Sequence, residues 1–364
     1  MKITLLISSF LIYSYFGLSQ KALTDQKESI DMIQLCNSFT HIDIFGDDKD
    51  ILPEYYTKVY TSDVYGLDNK YQIYTNDDRL IITFRGSTDK MESWLENMYA
   101  VMIPAEDSIT LNGKVFNYKF AEDKHAAVHS GYALGIGFLI DDILLNINSL
   151  SKNDKKQLVI TGHSQGGALA NMLTAYLNNL PKEEIPNIAS ITTYAFAAPM
   201  VGNKEFVSEY NVRYYKTGIS NNFINPVDPV PKLPISYNDT TYLSQNLKDI
   251  FTASPFNVKK MLVDGAMNIF GHYVNTANEV VATQVLNRIN KDVAEVEMPE
   301  GLYAFNYTPI KYQYLLPISV YPDSTQKEPI MFQHAPYNYY TSMLRKFDTE
   351  AYENLEVKYL KETL

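Results

Sequence analysis

Residues 158–173 read LVITGHSQGGALANML, and no other stretch constrains the fold as tightly. A run of apolar and β-branched residues, Leu158 to Thr161, stops at Gly162. Ser164 follows, and a helical pattern, ALANMLTAYL, starts at Ala168. A strand that bends directly into a helix around a serine lifts that hydroxyl above the C-terminal edge of a sheet, near the helix N-terminus. The serine is held in a strained conformation there, and the positions two before and two after it are crowded. Gly162 and Gly166 suit those positions. A nucleotide-binding loop is the rival reading of a glycine-rich turn. No Lys-Ser/Thr follows, however, and no G-x-G-x-x-G is present. Ser164 is the candidate nucleophile.

The flanking pattern predicts the layers. YQIYTNDDRLIITF reads as a hairpin, with Tyr71 to Tyr74 and Leu80 to Phe84 as strands. A long apolar helix is expected over 130–150, a strand over 190–195, and a further strand in NVRYYKTGIS. Strands alternating with helices of this length imply an α/β fold, a mostly parallel sheet flanked by helices. Residues 236–300 are richer in Asn, Lys and Met. They are expected to form a helical insertion or cap, with helices in VKKMLVDGAMNIF and ANEVVATQVLNRI, and an amphipathic helix is expected at about 343–361.

The chain of 364 residues, 46% hydrophobic and 20% charged, is long enough for one large core. A net charge of -11 without clustered Lys or Arg argues against a nucleic-acid partner. At the N-terminus, Met1-Lys2 precedes the apolar ITLLISSFLIYSYFGL, the layout of a signal peptide over 1–19. Residues 20–364 are then expected to be a single exported domain. No later stretch is expected to span a membrane. Cys36, the lone cysteine, has no intramolecular partner and is read as a small buried hydrophobe. His125 and His129 lack the third ligand and Glu of a metallohydrolase, so no metal is expected.

A serine hydroxyl needs a base to take its proton and a carboxylate to orient that base. On a strand-turn-helix elbow the partners follow in the order Ser, acid, His. After Ser164, His272 and His334 are the histidines that remain.

Five segments, in order along the chain, resemble one known family. They are IITFRGSTDKMESWLEN, VHSGY, GHSQGGALA, TYAFAAPMVGNKEF and NNFINPVDPVPKLP, together covering about residues 70–235. They resemble the class 3 lipases, the α/β-hydrolase family that includes the fungal triacylglycerol lipases. The resemblance implies an α/β-hydrolase fold and an acid at Asp228, where Pro229 and Pro231 fix the backbone. It favours His334, in FQHAPYNYYTSML, as the base. Gln333 stands where the family often has Asp, and the long segment before it keeps His272 open. The oxyanion donors it implies are Ser87, through its N–H and hydroxyl, and the N–H of Gln165. Arg85 is read as structural and His163 as packing. Trp94 falls where these lipases carry a lid, with Met91, Leu95, Met98 and Val101 on the same face, a pattern that a core helix shares.

The function expected from this resemblance is a secreted serine hydrolase of carboxylic esters, with acylglycerols as the favoured substrates, that works without a cofactor. The partner is a lipid or ester substrate, met for some substrates at a lipid–water interface. Phospholipids and other esters remain open, because one fold serves all of them. A rival reading keeps the fold as a binding or surface protein with a weak site, and rests on Gln333 and the long insertion.

Overall fold

The computed structural model describes residues 26–37, 39, 51–234, 274–301, 306–311, 314–321, 325, 328 and 331–355. The leader over 1–19, the VKKMLVDGAMNIF helix and His272 lie outside the described residues.

A helix over residues 26–37 (α1) is followed by β1 (Thr57–Thr61), β2 (Tyr71–Thr75) and β3 (Arg79–Phe84). The last two form the expected hairpin, with Tyr71 opposite Phe84 and Thr75 opposite Leu80. Asn76 Oδ1 closes the turn by accepting from the Arg79 N–H at 3.0 Å. From β3 the sheet turns parallel. It runs through β8 (Lys156–His163), β9 (Ile188–Phe196), β10 (Ser220–Ile224) and the short β12 (Tyr314–Leu315), in the order β1-β2-β3-β8-β9-β10-β12. Between β3 and β8 lie α2 (Met91–Met98), β4 (Met102–Pro104), β5 (Glu106–Leu111), β6 (Lys114–Lys119), β7 (Ala127–His129) and α3 (Ser130–Leu150). A small side sheet pairs β5 with β6 and with β11 (Val296–Glu297).

Parallel strands covered on both sides must be apolar on both faces, and successive side chains alternate between them. Leu80, Ile82, Leu158 and Ile160 enter one core, together with Leu139 and Ile143 of α3 and Ala168, Leu169 and Leu173 of α4 (Gln165–Asn178). Ile81 and Val159, one residue out of phase, enter the other. That second core is closed by Met32, Ile33 and Cys36 of α1 and by Tyr339 and Met343 of a C-terminal helix (Pro336–Phe347). The two ends of the chain therefore share one face of the sheet.

Several expectations need correction. NVRYYKTGIS is not a strand: α5 (Lys204–Tyr210) runs on as a wider π turn over Asn211–Tyr215, and β10 begins at Ser220. Its aromatics suggested a strand, but Tyr210 and Tyr214 bury by helical spacing. Of the 236–300 segment, α6 (Val274–Asp292) is described. Its Ala282, Val285 and Ile289 sit in the main core, and its start lies upstream of ANEVVATQVLNRI. The C-terminal helix starts earlier than 343, at Pro336, whose fixed φ suits a first helical position. We label it α7; it breaks at Asp348, which caps α8 (Thr349–Glu353) by accepting from Ala351 N. Contrary to expectation, Ser130–Leu150 is by length and composition apolar enough to cross a membrane. Here it is a core helix, with Ile136, Leu139, Ile143 and Ile147 fully buried.

Candidate active site

Ser164 stands at the junction of β8 and α4 with φ 59° and ψ −129°, in the region that side-chain-bearing residues avoid. The turn is closed by Ser164 N donating to Phe196 O at 2.9 Å and by Gly167 N donating to Ser164 O at 2.8 Å. A Cβ on Gly162 would collide with the Gly166 carbonyl, and one on Gly166 would lie 2.6 Å from Phe84 O. Both close approaches demand glycine. Gln165 opens α4, so its N–H has no intrahelical acceptor and lies at the positive end of the helix dipole.

The acid comes from the turn after β10. Asp228 N donates to Asn225 O at 3.1 Å, and Val227 N donates to Asn225 Oδ1 at 3.1 Å. The base comes from a 3₁₀ turn, Phe332–His334, which Ala335 separates from Pro336. His334 Nε2 lies 2.9 Å from Ser164 Oγ, and His334 Nδ1 lies 2.8 Å from Asp228 Oδ2. Residues 170 and 106 positions apart are thereby joined in one hydrogen-bonded row. His334 and Asp228 are fully buried, and Ser164 is 5% exposed. Asp228 has further donors: Val230 N to Oδ1 at 2.9 Å and Tyr339 O–H to Oδ2 at 2.7 Å. Both carboxyl oxygens of this buried acid are therefore supplied with donors.

Two residues of this cluster carried signals the sequence reading did not use. Tyr339 is one of the aromatics in FQHAPYNYYTSML. It sits five positions after His334, one turn into α7, and its oxygen also accepts from Asn225 N at 3.0 Å. Gln333 counted against the site, yet it ties the base segment to the acid turn. Its Oε1 accepts from Asn225 Nδ2 at 2.6 Å and from Ser319 N at 3.1 Å, and its Nε2 donates to Ser319 O at 2.8 Å.

The FRGS segment leaves β3 and approaches α4 from the side. Ser87 is buried, and its hydroxyl donates to Gln165 Oε1 at 2.8 Å while accepting from Asn97 Nδ2 at 2.9 Å. The hydroxyl proton is therefore engaged by Gln165, whereas the expectation had it open as an oxyanion donor. Ser93 Oγ also donates to Gln165 Oε1, at 3.1 Å. The loop is held from below by Asp68, which receives Arg85 Nη2 at 2.8 Å, Thr88 O–H at 2.7 Å and Lys90 Nζ at 2.9 Å. Arg85 is thus turned away from the serine, as expected. α2, expected as a lid or a core helix, packs here as a core helix. Leu95 and Val101 are buried, and Met91 and Met98 pack against the main core. Trp94 Nε1 is buried without a hydrogen-bond partner among the described residues.

The other histidines and Cys36 serve the frame. His129 is buried and caps α3, its Nδ1 accepting from Tyr132 N at 3.4 Å while its ring stacks on Tyr132. Burial pushes its pKa down to about 3. His125 is exposed. His163 is buried with its ring 4.7 Å from that of His334 and edge-on to Tyr339, so it packs against the base. Cys36 is buried with Sγ 3.4 Å from Thr161 Oγ1, and burial pushes its thiol up to about 12.

The chain is similar to known proteins over part of this region. Residues 81–238 match the family described as lipase (class 3). A secreted mono- and diacylglycerol lipase 1 from Fusarium solani is 29% identical over 141 residues, 37% of this chain and 39% of that protein. A chloroplastic phospholipase A1-Ialpha2 from Arabidopsis thaliana is 30% identical over 173 residues, 43% of this chain and 32% of that protein. The matched region spans about a third to two fifths of these relatives' length. Among solved structures, a Rhizomucor miehei triacylglyceride lipase superposes with a TM-score of 0.42 at 21% identity, over 58% of this chain and 75% of that one. Ser164 and Asp228 lie inside the segment that matches the class 3 lipase family, and His334 lies beyond it.

Proposed function

We propose that this chain is an exported serine hydrolase of lipid carboxylic esters, with acylglycerols as the favoured substrates. The observation that carries the reading is the row Ser164 Oγ, His334 Nε2, His334 Nδ1, Asp228 Oδ2, at 2.9 Å and 2.8 Å. Such a row is what a hydroxyl needs to become a nucleophile. Ser164 attacks the ester carbonyl and His334 takes its proton. Asp228 holds the imidazole tautomer and stabilises the imidazolium, without accepting the proton itself. The N–H groups of Gln165 and Ser87 are the donors for the oxyanion. The imidazolium then protonates the leaving alcohol, and water repeats the sequence on the acyl-enzyme. Every step uses the chain's own residues.

The relatives point to glycerolipids, and they differ in head group: one is named for mono- and diacylglycerol, the other for phospholipid. Export rests on the leader pattern over residues 1–19 and on the word secreted in the first relative's name.

The test is direct. A fluorophosphonate probe is expected to label the wild-type chain and not Ser164→Ala, and ester turnover in that variant is expected to fall by about 10⁴-fold or more. A wild-type chain that ignores both the probe and short nitrophenyl esters would instead make this a binding protein on the same fold. Rates on short esters, triolein and phosphatidylcholine, below and above the concentration at which each forms an interface, rank the substrate classes.

A further inference from the structure

Gln333 shares a peptide bond with the base, yet its side chain turns to partners of its own. It is 2% exposed, and all four of its hydrogen-bonding positions are taken. Oε1 accepts from Asn225 Nδ2 at 2.6 Å and from Ser319 N at 3.1 Å. Nε2 donates to Ser319 O at 2.8 Å and to Glu328 Oε1 at 2.9 Å. A carboxamide carries two acceptor sites and two N–H donors, so this set satisfies it completely. Ser319 presents one backbone N–H and one carbonyl to the same amide, and that pair fixes which end is oxygen. A carboxylate of the same shape cannot donate to Ser319 O, and an apolar side chain makes none of the four bonds.

The amide stands where three segments meet. Asn225 belongs to the acid turn: its Oδ1 accepts from Val227 N, and its carbonyl accepts from Asp228 N. With Oδ1 engaged in the turn, Nδ2 is the end that reaches Gln333. Ser319 is pinned on its other side to α7, its Oγ 3.2 Å from Ser342 Oγ, while Ser342 Oγ donates to Pro317 O at 2.9 Å. Gln333 and His334 thus grip one turn at two points, Asn225 and Asp228. A single hydrogen bond sets a distance and leaves rotation about it. A second bond between the same two segments fixes the angle as well.

We propose that Gln333 is a positioning residue of the acid–base pair: through its amide bridge to Asn225 it sets how the Asp228 turn meets His334, and hence the line from Asp228 to Ser164. The proposal rests on the ester-hydrolase reading. His334 moves a proton in both halves of that reaction, and a misplacement of about 1 Å can cost on the order of 10²-fold in rate. Loss of the bridge therefore slows acylation and deacylation alike. Their ratio is kept, so kcat falls while KM holds. The two amides act as one unit, so removing Gln333 after Asn225 costs little more.

The experiment compares the full chain with Gln333→Met, Asn225→Ala and the two combined, each assayed at a temperature where circular dichroism shows it folded. Methionine keeps the length of glutamine and makes none of its four hydrogen bonds. The readouts are kcat and KM for a soluble nitrophenyl ester and the second-order rate of fluorophosphonate labelling, which reports nucleophile and base without the ester. Gln333→Met is expected to lower kcat and the labelling rate about 10- to 100-fold, with KM changed less than about twofold. Asn225→Ala is expected to show the same split. The combined chain is expected to stay within about threefold of Asn225→Ala alone. An unchanged kcat, a loss carried by KM, or losses that multiply in the combined chain overturn the proposal while the hydrolase reading survives. If Gln333→Met does not fold, Asn225→Ala decides by the same split of kcat from KM. A wild type without Ser164-dependent turnover overturns both.

Discussion

Asp228 is fully buried, and both of its carboxyl oxygens are engaged by its neighbours. Three donors converge on its two oxygens: His334, Val230 N–H and Tyr339 O–H. A hydrogen bond to a charged group contributes about 1.5–3 kcal/mol, more than one between neutral partners. Tyr339→Phe keeps the ring against His163 and removes that donor, and it also leaves Asn225 N without its acceptor. Its kcat/KM is expected to drop about 10- to 100-fold, with probe labelling slowed in step and not abolished. An unchanged rate would mean that His334 and Val230 suffice. Gln333 reads differently with its partners in view: a carboxylate there would face the acceptor oxygens of Ser319 and Glu328, which its amide Nε2 now satisfies.

At the scale of elements, the segment between β3 and α2 carries Ser87 and is held by one buried acid. Asp68 adopts φ 60° and binds Arg85, Thr88 and Lys90, so three points of the loop are fixed to one carboxylate. These contacts differ in value. The Lys90 side chain is 56% exposed, so its pair with Asp68 is screened and is worth about 0–1 kcal/mol. The Arg85 side chain is 14% exposed, and loss of its partner leaves a mostly buried cation. Asp68→Ala is expected to cost about 3 kcal/mol of unfolding free energy and to lower kcat, whereas Lys90→Ala stays within about 1 kcal/mol. Denaturant titration of the two variants checks the order, and equal costs would remove Arg85 from the account.

Across the whole molecule, the face of the sheet opposite α3 and α4 is covered by α1 and α7, from opposite ends of the chain. Salt bridge and hydrogen bonds dock α1: Glu28 takes Arg79 Nε at 2.5 Å and Tyr194 O–H at 2.7 Å. Asp31, nearby, is buried against Tyr55, and burial pushes its carboxyl up to about 6. The folded chain then binds this proton more tightly than the unfolded chain. The group's contribution is fully present below about pH 4, the ordinary carboxylate value, and is lost as pH rises to about 6. Asp31→Asn keeps an acceptor for Tyr55 and cannot ionise. Its melting temperature is expected to exceed that of the wild type at pH 7, with the difference vanishing near pH 4. Parallel melting curves at both pH values would show that the helix does not feel this charge.

Some of the fold and site was written in neighbouring residues, and some was not. The elbow, the β2–β3 hairpin and the strand–helix alternation depend on glycine, turn residues and side-chain period within a few positions, and these are legible in a string of letters. Local signals also misled: aromatic residues in NVRYYKTGIS suggested a strand where burial of Tyr210 and Tyr214 selected a helical continuation. Asp228 was legible through its prolines and its resemblance to a family pattern, and that resemblance favoured His334 as the base while keeping His272 open. That His334 Nε2 stands 2.9 Å from Ser164 Oγ is a result of packing. So is the Tyr339 bond to Asp228. Each joins segments more than a hundred residues apart, and which of those segments meet is decided when the two cores close over the sheet, not by any one stretch of chain.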